Sequence, residues 1–167
     1  MPAKPATVTG SPTSLLRIRV PYAGHPPSVN ATMRLHGTAA HALLDPWATA
    51  ATIAASDYKG IKPLPTPSLV RVTFPMPTNT RRDAHNYVGT ICKAIIDGLV
   101  RARLWDDDTA KQVVSIDPRI VVIPEMKDPK VLARAVALVD IVPLARLLNA
   151  LRTSAPELAK LFQPADE

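Results

Sequence analysis

Three consecutive aspartates, Asp106, Asp107 and Asp108, follow Trp105 in a chain that is otherwise basic. Adjacent carboxylates raise one another's pKa and repel until a cation offsets them. Hard oxygen ligands select Mg²⁺ or Mn²⁺ as that cation. A fourth aspartate stands upstream in the run Arg81-Arg82-Asp83-Ala84-His85-Asn86. If Asp83 meets the triplet, two or three carboxylates hold one or two metal ions. Such ions orient and deprotonate a water and stabilise the leaving oxygen of a phosphodiester. Lys93 is the candidate to stabilise transition-state charge, although a solvated helix lysine is the plainer reading of that residue. His85 lies two residues from Asp83, so both point the same way in an extended segment, and it is a candidate metal ligand or proton-transfer group. Aspartate also serves turns and N-caps, and one of the triplet is expected to do only that.

The remaining composition suits a polyanionic partner. The net charge is +6 and the pI about 9.8, a balance that favours nucleic acid. Arg81 and Arg82 read as phosphate contacts. Asn86, Lys93 and Lys111, with Asn30 and Arg34 in the stretch Ser28 to Gly37, complete the candidate DNA-binding set. At 4% aromatic residues the chain is too poor for single-strand binding by stacking. With only six glycines it has no Gly-rich phosphate cradle, which argues against a nucleotide phosphohydrolase. The single cysteine, Cys92, excludes an internal disulfide framework and points to a reducing, cytoplasmic setting. Cys92 itself reads as a small buried hydrophobe. The longest apolar stretch, Ala133 to Leu148, is interrupted by Arg134, Asp140, Pro143 and Arg146, so no membrane span and no signal peptide are expected.

These residues need elements to position them. Residues 1–13 are Pro-, Thr- and Ser-rich and are expected to be disordered. Leu15 to Val20 and Leu69 to Phe74 alternate as strands, the second ended by Pro75-Met76-Pro77. Ser28 to Gly37 and Thr78 to Asn86 read as loops. Thr38 to Ser56 reads as an Ala-rich helix capped by Thr38 and broken or restarted at Pro46. Thr90 to Arg103 is the clearest helix, with Ile91, Ile95, Ile96, Leu99 and Val100 on one face and an Asp97–Arg101 pair on another. Val113 to Ile123, split at Asp117-Pro118, and Ala133 to Val142 read as strands joined in a hairpin by the charged turn Glu125 to Lys130. Leu144 to Leu151 and Pro156 to Phe162 read as C-terminal helices, with Leu147, Leu148 and Leu151 turned to the core. Trp47 and Trp105 are expected as core or interface anchors.

Residues Arg81 to Val113 resemble the RusA family of Holliday junction resolvases. The family pattern R-R-D-x-D-N has its counterpart in Arg81-Arg82-Asp83-Ala84-His85-Asn86. A helix with an internal lysine and a D-[AG]-L turn matches Lys93-Ala94-Ile95-Ile96-Asp97-Gly98-Leu99. An aromatic or apolar residue with D-D-x-Q-V matches Trp105-Asp106-Asp107-Asp108 with Gln112-Val113 beyond. Pro26-Pro27-Ser28-Val29-Asn30 looks like the family's P-P-S-x-N loop.

The resemblance implies a small α/β (α+β) fold, a mixed sheet with packed helices, in an intertwined homodimer. The family-like domain would run over 14–143 and a C-terminal helical extension over 144–167. It implies Mg²⁺-dependent paired nicking of four-way DNA junctions. It assigns metal binding to Asp83, Asp107 and Asp108, Asp108 foremost, and a functional role to Lys93. The sequence departs from the family at two points. His85 stands where the second acid is expected, and the stretch from Asn86 to Lys93 is longer. His85 then reads as a nitrogen ligand that favours Mn²⁺, or Asp106 or Asp107 supplies the missing charge, or the protein binds junctions and cuts poorly.

Overall fold

The computed structural model describes residues 16–58, 63–78, 83–155 and 157. Alternating side chains build a four-stranded mixed sheet from β1 (Leu16–Pro21), β2 (Ser68–Met76), β3 (Val113–Val122) and β4 (Val136–Pro143). In β1 the apolar Leu16, Ile18 and Val20 are buried while Arg17, Arg19 and Pro21 face out. The spatial order is β1-β4-β2-β3. β4 runs antiparallel to both β1 and β2, and β3 runs parallel to β2.

The expected β3–β4 hairpin therefore does not form, because β2 lies between them. β2 carries four inward side chains, Val70, Val72, Phe74 and Met76, that are almost wholly buried, and a strand this apolar is best satisfied at the centre. The connection Ile123 to Ala135 holds a 3₁₀ turn (Pro124–Lys127) and a short helix, long enough to step past one strand. β3 also runs unbroken through Asp117-Pro118. It is an edge strand, where proline is tolerated. β2 likewise continues through Pro75. β4 pairs with β2 only as far as Thr73, and the Pro75 carbonyl accepts from the Tyr22 hydroxyl. Its absent N–H would face that same unpaired side, so no ladder bond is lost.

Five α-helices accompany the sheet among the described residues: α1 (Val29–Thr32), α2 (Gly37–Ser56), α3 (Lys93–Arg101), α4 (Pro129–Leu132) and α5 (Leu144–Ser154). α1 replaces part of an expected loop, because Ser28 caps it by accepting from the Ala31 N–H. α2 starts one residue earlier than expected, with His36 rather than Thr38 at the N-cap, and it runs through Pro46 without interruption. A proline forfeits one backbone hydrogen bond; burial of Trp47, Ala48, Ala51 and Ala55 directly after it holds the helix together.

α2 and α3 lie together on the apolar face of the sheet. A Cβ on Gly98 would stand 2.2 Å from the Ala48 carbonyl oxygen and 2.7 Å from the Ala51 Cβ. Only glycine lets these two helices approach so closely. Thr52 Oγ1 lies 2.8 Å from the Ala48 oxygen and 3.0 Å from that of Gly98, so a hydroxyl joins the two helices at the crossing. Ile91, Ile95, Ile96 and Leu99 turn inward as their spacing predicts, and Val100 is half-buried. Trp47 and Trp105 are both core residues, each 1% exposed.

α5 departs from the expectation. None of its described side chains is buried, and Leu147 is 39% exposed; the Leu151 side chain lies outside the described set. Residues 1–13, and the proposed helix Pro156 to Phe162 apart from Glu157, also lie outside it. Among the described residues, no helix is long and apolar enough to cross a membrane.

Candidate functional site

The helix carrying Lys93 has an unusual entry. The expected loop before it ends in a 3₁₀ turn (Ala84–Tyr87), followed by a π-helical turn (Val88–Cys92) that runs straight into α3. The long Asn86-to-Lys93 stretch is thus absorbed as extra helical turns. π turns are rare and recur at functional sites. Thr90 Oγ1 anchors this one by donating to the Pro27 carbonyl at 2.9 Å. Cys92, fully buried beneath it, has its thiol pKa pushed up to about 12 by burial, so it is a packing residue and not a nucleophile.

Lys93 is the first residue of α3 and stays exposed on its outer side. Its ammonium lies 2.6 Å from Asp97 Oδ1, one turn on, and also donates to Asp108 Oδ2. The expected Asp97–Arg101 pair is absent, since Arg101 reaches across to Asp45 of α2 at 2.9 Å. Asp97 is therefore a member of the cluster that the sequence reading assigned elsewhere. The signal for it was the i,i+4 spacing of Lys93 and Asp97.

Asp108 is held from behind. Leu104 and Trp105 are buried and pin the start of the turn. The chain reverses at Arg103, whose φ is +60°. The Asp107 carboxylate accepts from the Asp108 N–H at 2.7 Å, and the Gln112 side chain accepts from the Asp107 N–H at 2.8 Å. Asp106 is exposed and makes no side-chain hydrogen bond or ion pair among the described residues. The Trp105 indole N–H is buried with no hydrogen-bond partner among the described residues.

The electrostatics follow the contacts. The hydrogen bond from Lys93 holds the Asp108 carboxyl below its ordinary pKa, against a desolvation that would raise it. Burial pulls the Lys93 ammonium down, but hydrogen bonds to Asp108 and Asp97 outweigh it and leave its pKa raised. Both groups are thus charged across the neutral range. Two carboxylates converge on one cation, and Asp107 adds a third negative charge next in the chain.

Asp83 stands apart from this cluster. It caps the 3₁₀ turn, accepting from the His85 N–H at 2.9 Å. It lines a cleft of about 390 Å³ with His25, Ser28, Asn30, Asn86 and Tyr87. The structure thereby gathers Asp83, Asn86 and Asn30, three residues that the sequence placed in two separate motifs. His85 lines a different cleft, of about 400 Å³, with Asp117 and Arg119. Among the described residues, no three His, Cys, Asp or Glu side chains gather in a ligand-like group. Arg34 and Lys111 are exposed, and Arg81 and Arg82 lie outside the described residues.

The donor chemistry of the Lys93 cluster fits a hard divalent cation. Mg²⁺ is usually held by one or two carboxylates, water and substrate phosphate. Asp97 and Asp108 supply two carboxylates around a position where the Lys93 ammonium already stands as a cation. No protein-family model matches the chain, and no curated protein matches it.

Proposed function

We propose that this protein is a homodimeric, metal-dependent endodeoxyribonuclease that resolves four-way or otherwise branched DNA by paired phosphodiester nicking. The observation that carries the reading is the convergence of Lys93, Asp97 and Asp108 on a chain of net charge +6. Asp108 and Asp97, with Asp107 and Asp83 as further candidates, would hold Mg²⁺ or Mn²⁺. When bound, such an ion supplies Lewis acidity and an activated water for phosphodiester hydrolysis. Lys93, released from one carboxylate, would donate to the negative charge that develops on the phosphate. Asn30, Arg34, Asn86 and Lys111, with Arg81 and Arg82, would contact the backbone, so binding should weaken steeply with salt.

The test is a labelled four-way junction incubated with the protein in Mg²⁺ or Mn²⁺. Wild type should nick it, and Asp108→Asn should slow nicking by about 100-fold or more. No metal-dependent product from wild type, or full activity in Asp108→Asn, would refute the nuclease reading. A second reading, a junction-binding protein with weakened catalysis, is favoured by the placement of His85 away from the Asp83 cleft. It predicts tight junction binding with no metal-dependent product; cutting restored by His85→Asp would support such a history.

A further inference from the structure

The sheet face turned away from α2 and α3 changes character along its length. At one end a row of charges crosses all four strands in register: Arg17, Asp140, Arg71 and Asp117. At the other end the face becomes an apolar cup of about 640 Å³, floored by Pro75, Val121, Ile123 and Leu138. Arg19, Lys130 and Arg134 stand on its rim. All three are exposed, and none has an ion-pair partner among the described residues. Val121, Ile123 and Val131 at the cup are each more than a third exposed. An apolar floor under unpaired cations suits a segment that offers apolar side chains followed by carboxylates.

The chain contains one. Residues 158–167 carry Leu158, Leu161 and Phe162, then Asp166 and Glu167, with Lys160 the only base. Their route begins on the same face, because Leu147 of α5 lines the charged end beside Arg17 and Val142. From Leu147 the helix carries the chain about 10 Å to Ser154. The cup begins at Leu138, about 13 Å along β4 from Val142. Even if α5 pointed directly away, the gap of about 23 Å is within the roughly 27 Å that residues 155–162 span when extended.

We propose that the segment 158–167 docks in this cup on its own subunit, with Leu161 and Phe162 on the apolar floor and Asp166 and Glu167 against Arg19, Lys130 and Arg134. The proposal does not depend on the nuclease reading.

Disulfide trapping in the full chain tests it. Gln163→Cys keeps every apolar and acidic residue of the segment. It is paired with Val131→Cys at the cup, or with Val114→Cys, which lies on β3 and is exposed, roughly 23 Å from Val121. The buried native thiol of Cys92 stays silent. Docking at the cup raises the local thiol concentration, so the 131–163 bond should form about ten-fold faster than the 114–163 bond. It should form within one chain, and Arg19→Glu with Arg134→Glu should slow it toward the control rate. Equal rates at the two positions, indifference to the charge reversal, or bonds only between two chains would each overturn the proposal; the last would assign the cup to a second copy.

Discussion

Acidic residues meet bases both on the open sheet face and near the start of α3, and the balance differs. On the open sheet face, Asp140 and Asp117 meet Arg17, Arg71 and Arg119: Arg17 Nε lies 2.5 Å from Asp140, and Asp117 takes Arg71 and Arg119 at 2.8 and 2.9 Å. Each acid there has at least one arginine to itself, and Asp140 is only 7% exposed. Near the start of α3, by contrast, Asp97 and Asp108 share the single Lys93, with Asp106 and Asp107 adjoining. A balanced row of charges across strands is a structural device that keeps a half-buried sheet face in register. A surplus of carboxylate around one lysine is a local cost that a bound cation would relieve. The difference separates acids matched by arginines from acids that outnumber their base.

The sharpest way to break that distinction is Asp140→Ala. It strands Arg17 and removes a nearly buried carboxylate that accepts from two guanidinium nitrogens, so unfolding stability should fall by about 2 kcal/mol. Urea denaturation measures it, and a loss no larger than that of a typical surface ion pair would show the row to be ornamental.

Asp83 sits between the two classes, since it caps a turn and also lines a cleft. Asp83→Ala should cost about 1 kcal/mol, whereas Asp83→Asn, which caps equally well without charge, should cost only a few tenths. If Asp83→Asn stays as stable as wild type yet no longer cuts a junction, the carboxylate has a chemical role beyond the cap.

The smallest effect belongs to the Lys93–Asp108 pair, which is partly exposed and worth less than about 1 kcal/mol to stability. Asp108 has a lowered folded pKa, so its contribution is present above its unfolded value and is lost as pH falls through the folded one. Lys93 has a raised folded pKa, so its contribution is whole below its unfolded value and is lost as pH rises through the folded one. The stability gap between wild type and Asp108→Asn should therefore hold steady from about pH 5 to 9 and close below about pH 4. A gap that instead widens on acidification would mean the pair is not formed in solution.

Much of the frame was legible in the sequence. Period-two alternation marked β1 and β2, and the isoleucine spacing marked the buried side of α3. The failures have local causes. Pro46, Pro75 and Pro118 read as breaks because a proline forfeits a hydrogen bond, yet tertiary burial or an unpaired strand side made each loss tolerable. The hairpin between β3 and β4 failed because chain adjacency favours it, while the burial demand of β2 outweighs adjacency. Helix spacing alone pairs Asp97 with Arg101, whereas in the fold Asp45 on α2 takes that arginine.

The sequence by itself determined which residue types are present and which short-range neighbours they have: the acid triplet, the lysine one turn before Asp97, the small residues of α2 and Gly98 of α3, and the basic excess. These follow from covalent order and from periods of two and 3.6. Only the tertiary structure decided which acid meets which base. Lys93 and Asp108 are fifteen residues apart, and Arg17 and Asp140 are 123 apart. The first pair forms because the chain reverses at Arg103 over the buried Leu104 and Trp105, the second because the strand order β1-β4-β2-β3 sets β1 beside β4, and no local period encodes either.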